Sequence, residues 1–140
     1  MIIKKFTKYV LESSDKVKIN SQNIIKGDVF VALKGNNIHG SLFIKDALNN
    51  GAKYIVVDKK IVNIKSKNII VVNNVLKFLN LLAKEKRKLF TGKIIGITGS
   101  IGKTSLKEGL KFFLEPKFNV SASTKSYNNF LGVILSLLNL

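Results

Sequence analysis

The sequence lacks several residue types that small proteins use to stabilise a fold or to bind a metal. Its 140 residues contain no cysteine, no tryptophan, one proline and one histidine. The absence of cysteine excludes disulfides and thiolate metal sites. The single histidine, His39, has no second imidazole with which to share a zinc ion. Acidic residues are also scarce, since 8 Asp and Glu accompany 24 Lys and Arg.

Long apolar segments are absent as well. No run approaches the ~20 apolar residues that a membrane helix needs. The first residues, Met1–Lys5, have neither the apolar core nor the small-residue cleavage site of a signal peptide. Hydrophobic residues nevertheless make up 46% of the chain, which is enough for a globular core. The composition therefore predicts a cytoplasmic protein with no membrane span, built as one domain or two small ones.

The net charge of +16 raises the question of nucleic-acid binding. Lysines are scattered along the whole chain, however, and Arg87 is the sole arginine, although bidentate recognition favours arginine. The densest basic run, 84–88, falls within a predicted helix. We interpret it as a solvated helix face, with a nucleic-acid patch as the alternative, and expect no nucleic-acid partner.

The most informative motif is the loop from Gly99 to Thr104. It follows the apolar run Ile94–Ile97, predicted as a strand, and precedes a segment with helical periodicity. Glycines in such a loop turn backbone N–H groups toward an anion, and the next helix adds its positive N-terminal end. Lys103 is placed to reach phosphates and Thr104 to hold Mg²⁺. The alternative is a polar turn that caps a helix.

Patterning along the rest of the chain predicts alternating strands and helices, without a regular element before residue 28. Predicted strands are 28–33, 54–57, 69–72 and 118–122, and predicted helices are 43–48, 75–90, 103–115 and 130–140. Asn73 or Asn74 is expected to cap the helix at 75–90. A domain boundary is expected after this helix, between residues 90 and 91. Leu106, Leu110, Phe113 and Leu114 should form an inward face on the helix after the loop. The apolar residues of the last helix are interpreted as core residues, but their partner is expected to be missing from this chain, because a phosphate-loop sheet needs further strands.

Four stretches carry a family resemblance. They are IKGDVFVALKG at 25–35, GSLF with ALNNGA at 40–52, ITGSIGKT at 97–104 and KSYNNFLGV at 125–133. In this order they resemble the Mur ligase family of peptidoglycan synthesis. The resemblance covers nearly the whole chain. It implies an α/β fold with a UDP-substrate recognition domain and connector helix at 1–90, and the start of a P-loop ATP-binding domain at 91–140.

The resemblance also implies an activity. Segment 25–35 and the neighbouring asparagines Asn128 and Asn129 resemble the corresponding stretches of one family member. That member joins D-alanyl-D-alanine to UDP-N-acetylmuramoyl-tripeptide. In that reaction ATP phosphorylates a carboxylate, and an amine then attacks the acyl phosphate. Such enzymes need a further acidic residue, a histidine and a C-terminal domain, so these 140 residues alone are expected to be inactive. A monomer is expected for the full-length enzyme.

Site residues follow from the same resemblance. Gly99, Ser100, Ile101 and Gly102 would supply backbone donors to ATP, Lys103 would act in catalysis, and Thr104, helped by Ser105, would bind Mg²⁺.

Substrate-binding residues are implied elsewhere in the chain. Ser21 would recognise the UDP moiety, Lys34 and Gly35 would lie near its diphosphate, and Asn128 and Asn129 would border the cleft. A helix cap is the alternative for both asparagines. His39 is interpreted as an exposed loop residue and Asp58 as a turn residue.

Three other functions fit parts of the sequence. The alternatives are a stand-alone phosphate-loop module that binds nucleotide without catalysis, a basic nucleic-acid-binding protein, and a generic phosphate-loop kinase or GTPase. The last would need a second acidic motif, and a GTPase a guanine-specifying motif, and neither is found in the sequence.

Overall fold

A parallel β-sheet forms the centre of the protein. The computed structural model describes residues 2–35, 37–58, 64, 66–123 and 129–140. Within them the sheet has four strands in the order β1-β2-β3-β4, and its register pairs Val29 with both Val17 and Tyr54. The strands are β1 (Val17–Lys18), β2 (Val29–Ala32), β3 (Tyr54–Val57) and β4 (Ile69–Val71). The predicted α/β class and three of the predicted strands are confirmed.

Five α-helices accompany the sheet in the described residues. They are α1 (Ile2–Glu12), α2 (Ile44–Asn49), α3 (Val75–Leu89), α4 (Lys103–Leu114) and α5 (Phe130–Leu138), and 3-10 helices occupy Ser21–Asn23 and Gly40–Phe43. The absence of a regular element before residue 28 was a wrong prediction, since α1 and β1 both lie there. The signal for α1 is short: Phe6 and Val10, spaced four apart, are its buried residues.

Continuous apolar runs build β2 and β3, and every residue in both strands is buried. Alternate side chains of a strand point to opposite faces, so such strands need a cover on each side. On one face, Val29, Val31 and Val56 join a core that includes residues of α1, α3 and α5. On the other face, Phe30 and Ile55 join a smaller core with residues of α2.

Local signals define α3 as predicted. The side chain of Asn74, rather than that of Asn73, caps the helix by accepting a hydrogen bond from Lys77 N at 2.8 Å. The predicted apolar stripe is buried, and it consists of Val75, Leu79, Leu82 and Ala83. Lys86 continues the same stripe and is buried too, so the basic run 84–88 is not wholly a solvated face.

Three predictions for the region after α3 are wrong. Residues 94–97 and 118–122 are not strands, and Ile94 and Ile95 are 42% and 59% exposed. The predicted inward face of α4 is not buried, because this helix has no buried residue. A strand is stabilised by hydrogen bonds to its neighbours, and none of the described strands pairs with these segments.

The last helix differs from expectation in the opposite sense. It was expected to lack a partner, but Ile134, Leu135 and Leu138 of α5 belong to the main core beside α3. The domain boundary between residues 90 and 91 stays a prediction, although α5, which lies after it, packs on elements that lie before it. Each described helix is also too short or too polar to cross a bilayer.

Candidate functional site

The phosphate-loop motif forms a loop followed directly by α4. Gly102 is the N-cap of the helix and adopts a left-handed conformation with φ of 79°, and Gly99 also has a positive φ of 150°. A Cβ at Gly102 would meet nothing within 4 Å, so the backbone conformation rather than space requires glycine here. No side chain caps α4. Its first N–H groups therefore remain available for an anion.

Lys103 brings a positive charge to the same loop. Its Nζ donates hydrogen bonds to Gly99 O at 2.5 Å and to Ser100 O at 3.4 Å. Thr104 and Ser105 follow in the first turn of α4, and both are exposed. Ile101 at the loop tip is 94% exposed. An ammonium group, helix N–H groups and two hydroxyls thus share one solvent-facing loop, which suits a phosphate chain and a hard cation.

Ser21 lies at a second site, beside the sheet. It begins a short 3-10 helix that Asn20 caps through a hydrogen bond from Gln22 N at 3.0 Å. Ser21 is buried, and its carbonyl accepts a hydrogen bond from Asn50 Nδ2 at 2.9 Å. An open cleft of about 700 Å³ borders these residues, and it is lined by Ile19, Asn20, Ser21, Gln22, Phe43, Asp46, Asn49 and Asn50. Carboxamides and one carboxylate dominate its polar groups, which suits hydrogen bonding to a polar ligand.

Lys34 and Gly35 occupy a tight turn after β2. Lys34 forms an antiparallel bridge with His39, and Gly35 N donates to Ile38 O at 3.0 Å. A Cβ at Gly35 would lie 2.7 Å from Ile38 O, so only glycine fits this turn without a shift. Both Lys34 and Gly35 are exposed.

His39 is not the exposed loop residue that was predicted. Its side chain is 13% exposed, and its Nε2 lies 2.8 Å from Asp58 Oδ1. Nδ1 accepts a hydrogen bond from Ser41 N at 3.1 Å, which assigns the proton to Nε2 and makes Asp58 its acceptor. The Ser41 hydroxyl is 2.9 Å from the same Nδ1. The histidine thus caps the 3-10 helix Gly40–Phe43 and ties it to the end of β3, and Asp58 is its partner rather than an isolated turn residue.

The paired asparagines have separate outcomes. Asn128 lies outside the described residues, as does the rest of the segment 124–128. Asn129 caps α5, because its Oδ1 accepts a hydrogen bond from Gly132 N at 2.8 Å. The cap interpretation of Asn129 is therefore correct, and its role at a substrate cleft stays a prediction.

Comparison with known proteins gives the family to which the chain is similar. The sequence profile described as "Mur ligase family, catalytic domain" matches residues 15–87, just over half of the chain. The chain is also 44% identical over 124 residues to the UDP-N-acetylmuramoyl-tripeptide–D-alanyl-D-alanine ligase of Rickettsia prowazekii, covering 88% of this chain. The chain belongs to the Mur ligase family.

Solved structures of Mur ligases agree with this assignment. The MurF ligase of Thermotoga maritima, determined in complex with ADP, is 40% identical and superposes with a TM-score of 0.72 over 93% of this chain. A MurF from Acinetobacter baumannii is 26% identical, with a TM-score of 0.77 over 97% of this chain. The relative in Rickettsia is a ligase of UDP-N-acetylmuramoyl-tripeptide and D-alanyl-D-alanine, and the Thermotoga ligase binds ADP.

The chain spans only part of these Mur ligases. It covers 27% of the Rickettsia enzyme, 30% of the Thermotoga structure and 32% of the Acinetobacter one. Within the described residues no hydrogen bond or ion pair joins the Ser21 cleft to the phosphate loop. The Ser21 cleft and the phosphate loop are thus two candidate sites without a direct polar contact among the described residues.

Sequence reasoning missed two residues that connect distant elements, Lys86 and Asn139. Lys86 was assigned to a solvated basic run, although it follows Leu79 by seven positions and Leu82 by four, which places it on the apolar stripe of α3. This spacing was the signal that would have found it. No comparable signal marks Asn139, whose side chain contacts Val17 at the other end of the chain.

Proposed function

We propose that this chain is the N-terminal part of an ATP-dependent ligase that joins D-alanyl-D-alanine to UDP-N-acetylmuramoyl-tripeptide in the cytoplasm. The observation that carries the proposal is the phosphate loop itself. It combines a left-handed glycine at the N-cap position, a 12-residue helix whose N-terminus has no side-chain cap, and a lysine ammonium group bonded to the loop carbonyls. This arrangement fits the polyphosphate of ATP.

Each residue of the loop has a distinct task in this proposal. The backbone N–H groups from Gly99 to Gly102 bind phosphate oxygens, and the Thr104 hydroxyl, helped by Ser105, holds Mg²⁺. Lys103 exchanges the carbonyl of Gly99 for the β- and γ-phosphates and stabilises the charge that develops during transfer. Bound Mg²⁺ would neutralise phosphate charge.

The chemistry of ligation then follows in two steps. The substrate carboxylate takes the γ-phosphoryl group of ATP, which gives an acyl phosphate and ADP. The amino group of D-alanyl-D-alanine attacks the acyl carbon, and inorganic phosphate leaves as the amide forms. Protein groups act mainly by positioning and by charge neutralisation, since little covalent help is needed.

Substrate recognition is assigned to the other candidate site. The cleft beside Ser21 takes the UDP moiety, Lys34 and Gly35 lie toward its diphosphate, and Asn128 and Asn129 border the space between this substrate and ATP. The cleft volume of about 700 Å³ and its carboxamide lining support a polar ligand of nucleotide size. The 140 residues bind ligands in this proposal but do not catalyse ligation alone.

Calorimetric titration of the chain with Mg-ATP tests the proposal. Lys103→Ala should weaken binding at least about tenfold, because a lysine–phosphate contact of this kind contributes about 1.4 kcal/mol or more. Lys111→Ala is the matched control, since Lys111 lies on the same helix two turns away and pairs with Glu115. Equal affinity of the two variants, or no binding of Mg-ATP to the chain, would refute the assignment of the loop.

Ligation is tested separately. The purified chain, given Mg-ATP and both substrates, should form no amide product above the level of the Lys103→Ala variant. Product above that level would contradict the expected inactivity of the chain alone.

A further inference from the structure

The last helix, α5, is fixed to the sheet-bearing part by contacts far away in sequence. Its apolar face places Ile134, Leu135 and Leu138 in the main core, at 2% exposure or less. Its C-terminal end, at Leu138 and Asn139, meets Lys86 of α3 and the start of β1. Two polar contacts at this end are unusual, because each uses a side chain to satisfy backbone groups of another element.

Lys86 of α3 makes the first contact. Its Nζ donates to Val10 O at 3.1 Å, to Leu138 O at 2.8 Å and to Ser13 O. The three protons of an ammonium group thus have three carbonyl acceptors. These carbonyls lie at the C-terminal ends of α1 and α5, where helix dipoles favour a positive charge. The lysine therefore joins three helices at one point, and its side chain is nearly fully buried.

Asn139 makes the second contact. Its Oδ1 accepts from Val17 N at 2.8 Å, and its Nδ2 donates to Val17 O at 2.9 Å. β1 is the first strand of the sheet and has only β2 as a neighbour among the described strands. The carboxamide therefore takes the place of a neighbouring strand at Val17 and satisfies both of its backbone groups.

Residues 91–123, which precede α5 in the described part of the chain, are not packed into the core. None of the residues 91–123 is buried, and these residues contain the phosphate loop and α4. Detachment of α5 would therefore expose its own face and the surface it covers without disrupting packing elsewhere in that segment. Native proteins open in contiguous units, at free energies that extend up to that of global unfolding.

We propose that Lys86 and Asn139 form a two-point latch, through which α5 docks on the sheet-bearing part and detaches from it as a unit while β2 and β3 stay folded. Opening the latch uncovers the edge of β1. It also frees residues 91–123, which contain the phosphate loop, from the attachment that α5 provides. Asn129, the N-cap of α5, is released together with the helix. The latch concerns the fold and does not depend on the proposed ligase activity.

Hydrogen–deuterium exchange of the whole chain, read by mass spectrometry, tests the latch. Lys86→Met removes the ammonium group with little change in side-chain length, and Asn139→Ala removes the two bonds to Val17. Each should speed exchange of the α5 amides and of residues 15–18 at least about tenfold. Exchange in β2 and β3 should remain unchanged. Lys84→Met is the matched control, because Lys84 is an exposed lysine of the same helix.

Two results would overturn the latch. Unchanged exchange of α5 in both variants would show that these contacts do not hold the helix. Equal acceleration of α5, β2 and β3 would show that α5 unfolds only with the sheet. If Lys86→Met does not fold, Asn139→Ala decides, because it leaves the apolar core and the lysine intact. Failure of both variants to fold would equally contradict a latch that opens independently.

Discussion

Residues 2–90 and residues 91–123 differ in how much of their structure depends on packing. In the first region every residue of β2 and β3 is buried and helices cover both faces of the sheet. In the second, no residue is buried, although α4 and its glycine cap are present. The comparison shows that a loop and helix can follow from local signals, whereas a strand depends on neighbours that accept and donate hydrogen bonds.

The largest contrast should come from removing one phenylalanine in each region. Phe6 is fully buried and contacts the rings of Tyr54 and Phe78, with centroids 5.4 and 5.9 Å away. Phe6→Ala should lower the free energy of unfolding by about 4 kcal/mol, through lost transfer energy and a cavity. Phe113→Ala in α4, where the ring is 76% exposed, should change it by less than about 0.5 kcal/mol. Urea denaturation followed by circular dichroism measures both, and similar losses would abolish the distinction.

Lys86→Met should have the next largest effect. The substitution leaves the two buried carbonyls of Val10 and Leu138 and the half-buried carbonyl of Ser13 without the ammonium donor, so the free energy of unfolding should fall by about 3 kcal/mol near neutral pH. Lys84→Met, on the exposed side of the same helix, should leave it within about 0.5 kcal/mol. Denaturant titration of the two variants gives the comparison, and equal stabilities would show that the buried ammonium group contributes nothing.

The same lysine predicts a pH dependence. Burial lowers the pKa of Lys86 from its ordinary value of 10.5, while the three carbonyls favour the charged form and oppose the decrease. Between the lowered pKa and 10.5 the unfolded chain binds more protons than the folded one, so the contribution of this group to stability rises with pH. The stability difference between the wild type and Lys86→Met should therefore be larger at about pH 10 than at about pH 8. A smaller difference at the higher pH would reverse the inferred direction of the shift.

A helix cap in the buried region should have a smaller effect. Asn74→Ala removes the hydrogen bond to Lys77 N at the start of α3 and should lower the free energy of unfolding by about 1 kcal/mol. Asn73→Ala is the control, since the neighbouring asparagine is exposed and is not the N-cap. Thermal unfolding of both variants checks the assignment, which a larger loss from Asn73→Ala would contradict.

Gly102→Ala should have the smallest effect on global stability. Alanine is strained by about 1–2 kcal/mol at a φ of 79°, but this residue caps a helix without buried residues. The global free energy of unfolding should change by less than about 0.5 kcal/mol, while the affinity for Mg-ATP should fall at least about fivefold. Gly109→Ala within α4 has open space for its Cβ and should increase helicity without weakening nucleotide binding. If Gly102→Ala lowered the global free energy of unfolding as much as Asn74→Ala, the stability of the phosphate loop and α4 would be coupled to that of the core.

Sequence patterning predicted the buried region in most details. The runs at 54–57 and 69–72 are apolar over their whole length, and the stripe from Val75 to Ala83 repeats at helical spacing, so each pattern has one main structural solution. Patterning failed for α1, where two buried residues among lysines gave a weak signal, and for β1, where two residues are too few for a period.

The candidate sites were predicted unequally. Gly99, Gly102 and Lys103 could be proposed as a phosphate loop because their chemistry and spacing are contiguous in the chain, and their role stays a prediction. The cleft beside Ser21 brings together residues 19–22 and 43–50, and its shape depends on how α2 packs on the sheet. The pairing of His39 with Asp58 likewise requires the turn after β2 to lie beside the end of β3.

The sequence by itself determined the α/β class, the phosphate loop and the family, because glycine conformation, apolar periodicity and motif order are local or linear properties. Tertiary structure alone decided the fate of the apolar residues after residue 90. Those of α4 are exposed or half-buried, while Ile134, Leu135 and Leu138 of α5 enter the core, although both helices show apolar positions in the sequence. It also decided that Lys86 and Asn139 satisfy the backbone groups of distant elements. An apolar face specifies that a helix will be buried if a partner surface is available. Which surface that is, and which polar groups bond the backbone at the ends of the helix, is defined only when the chain has folded.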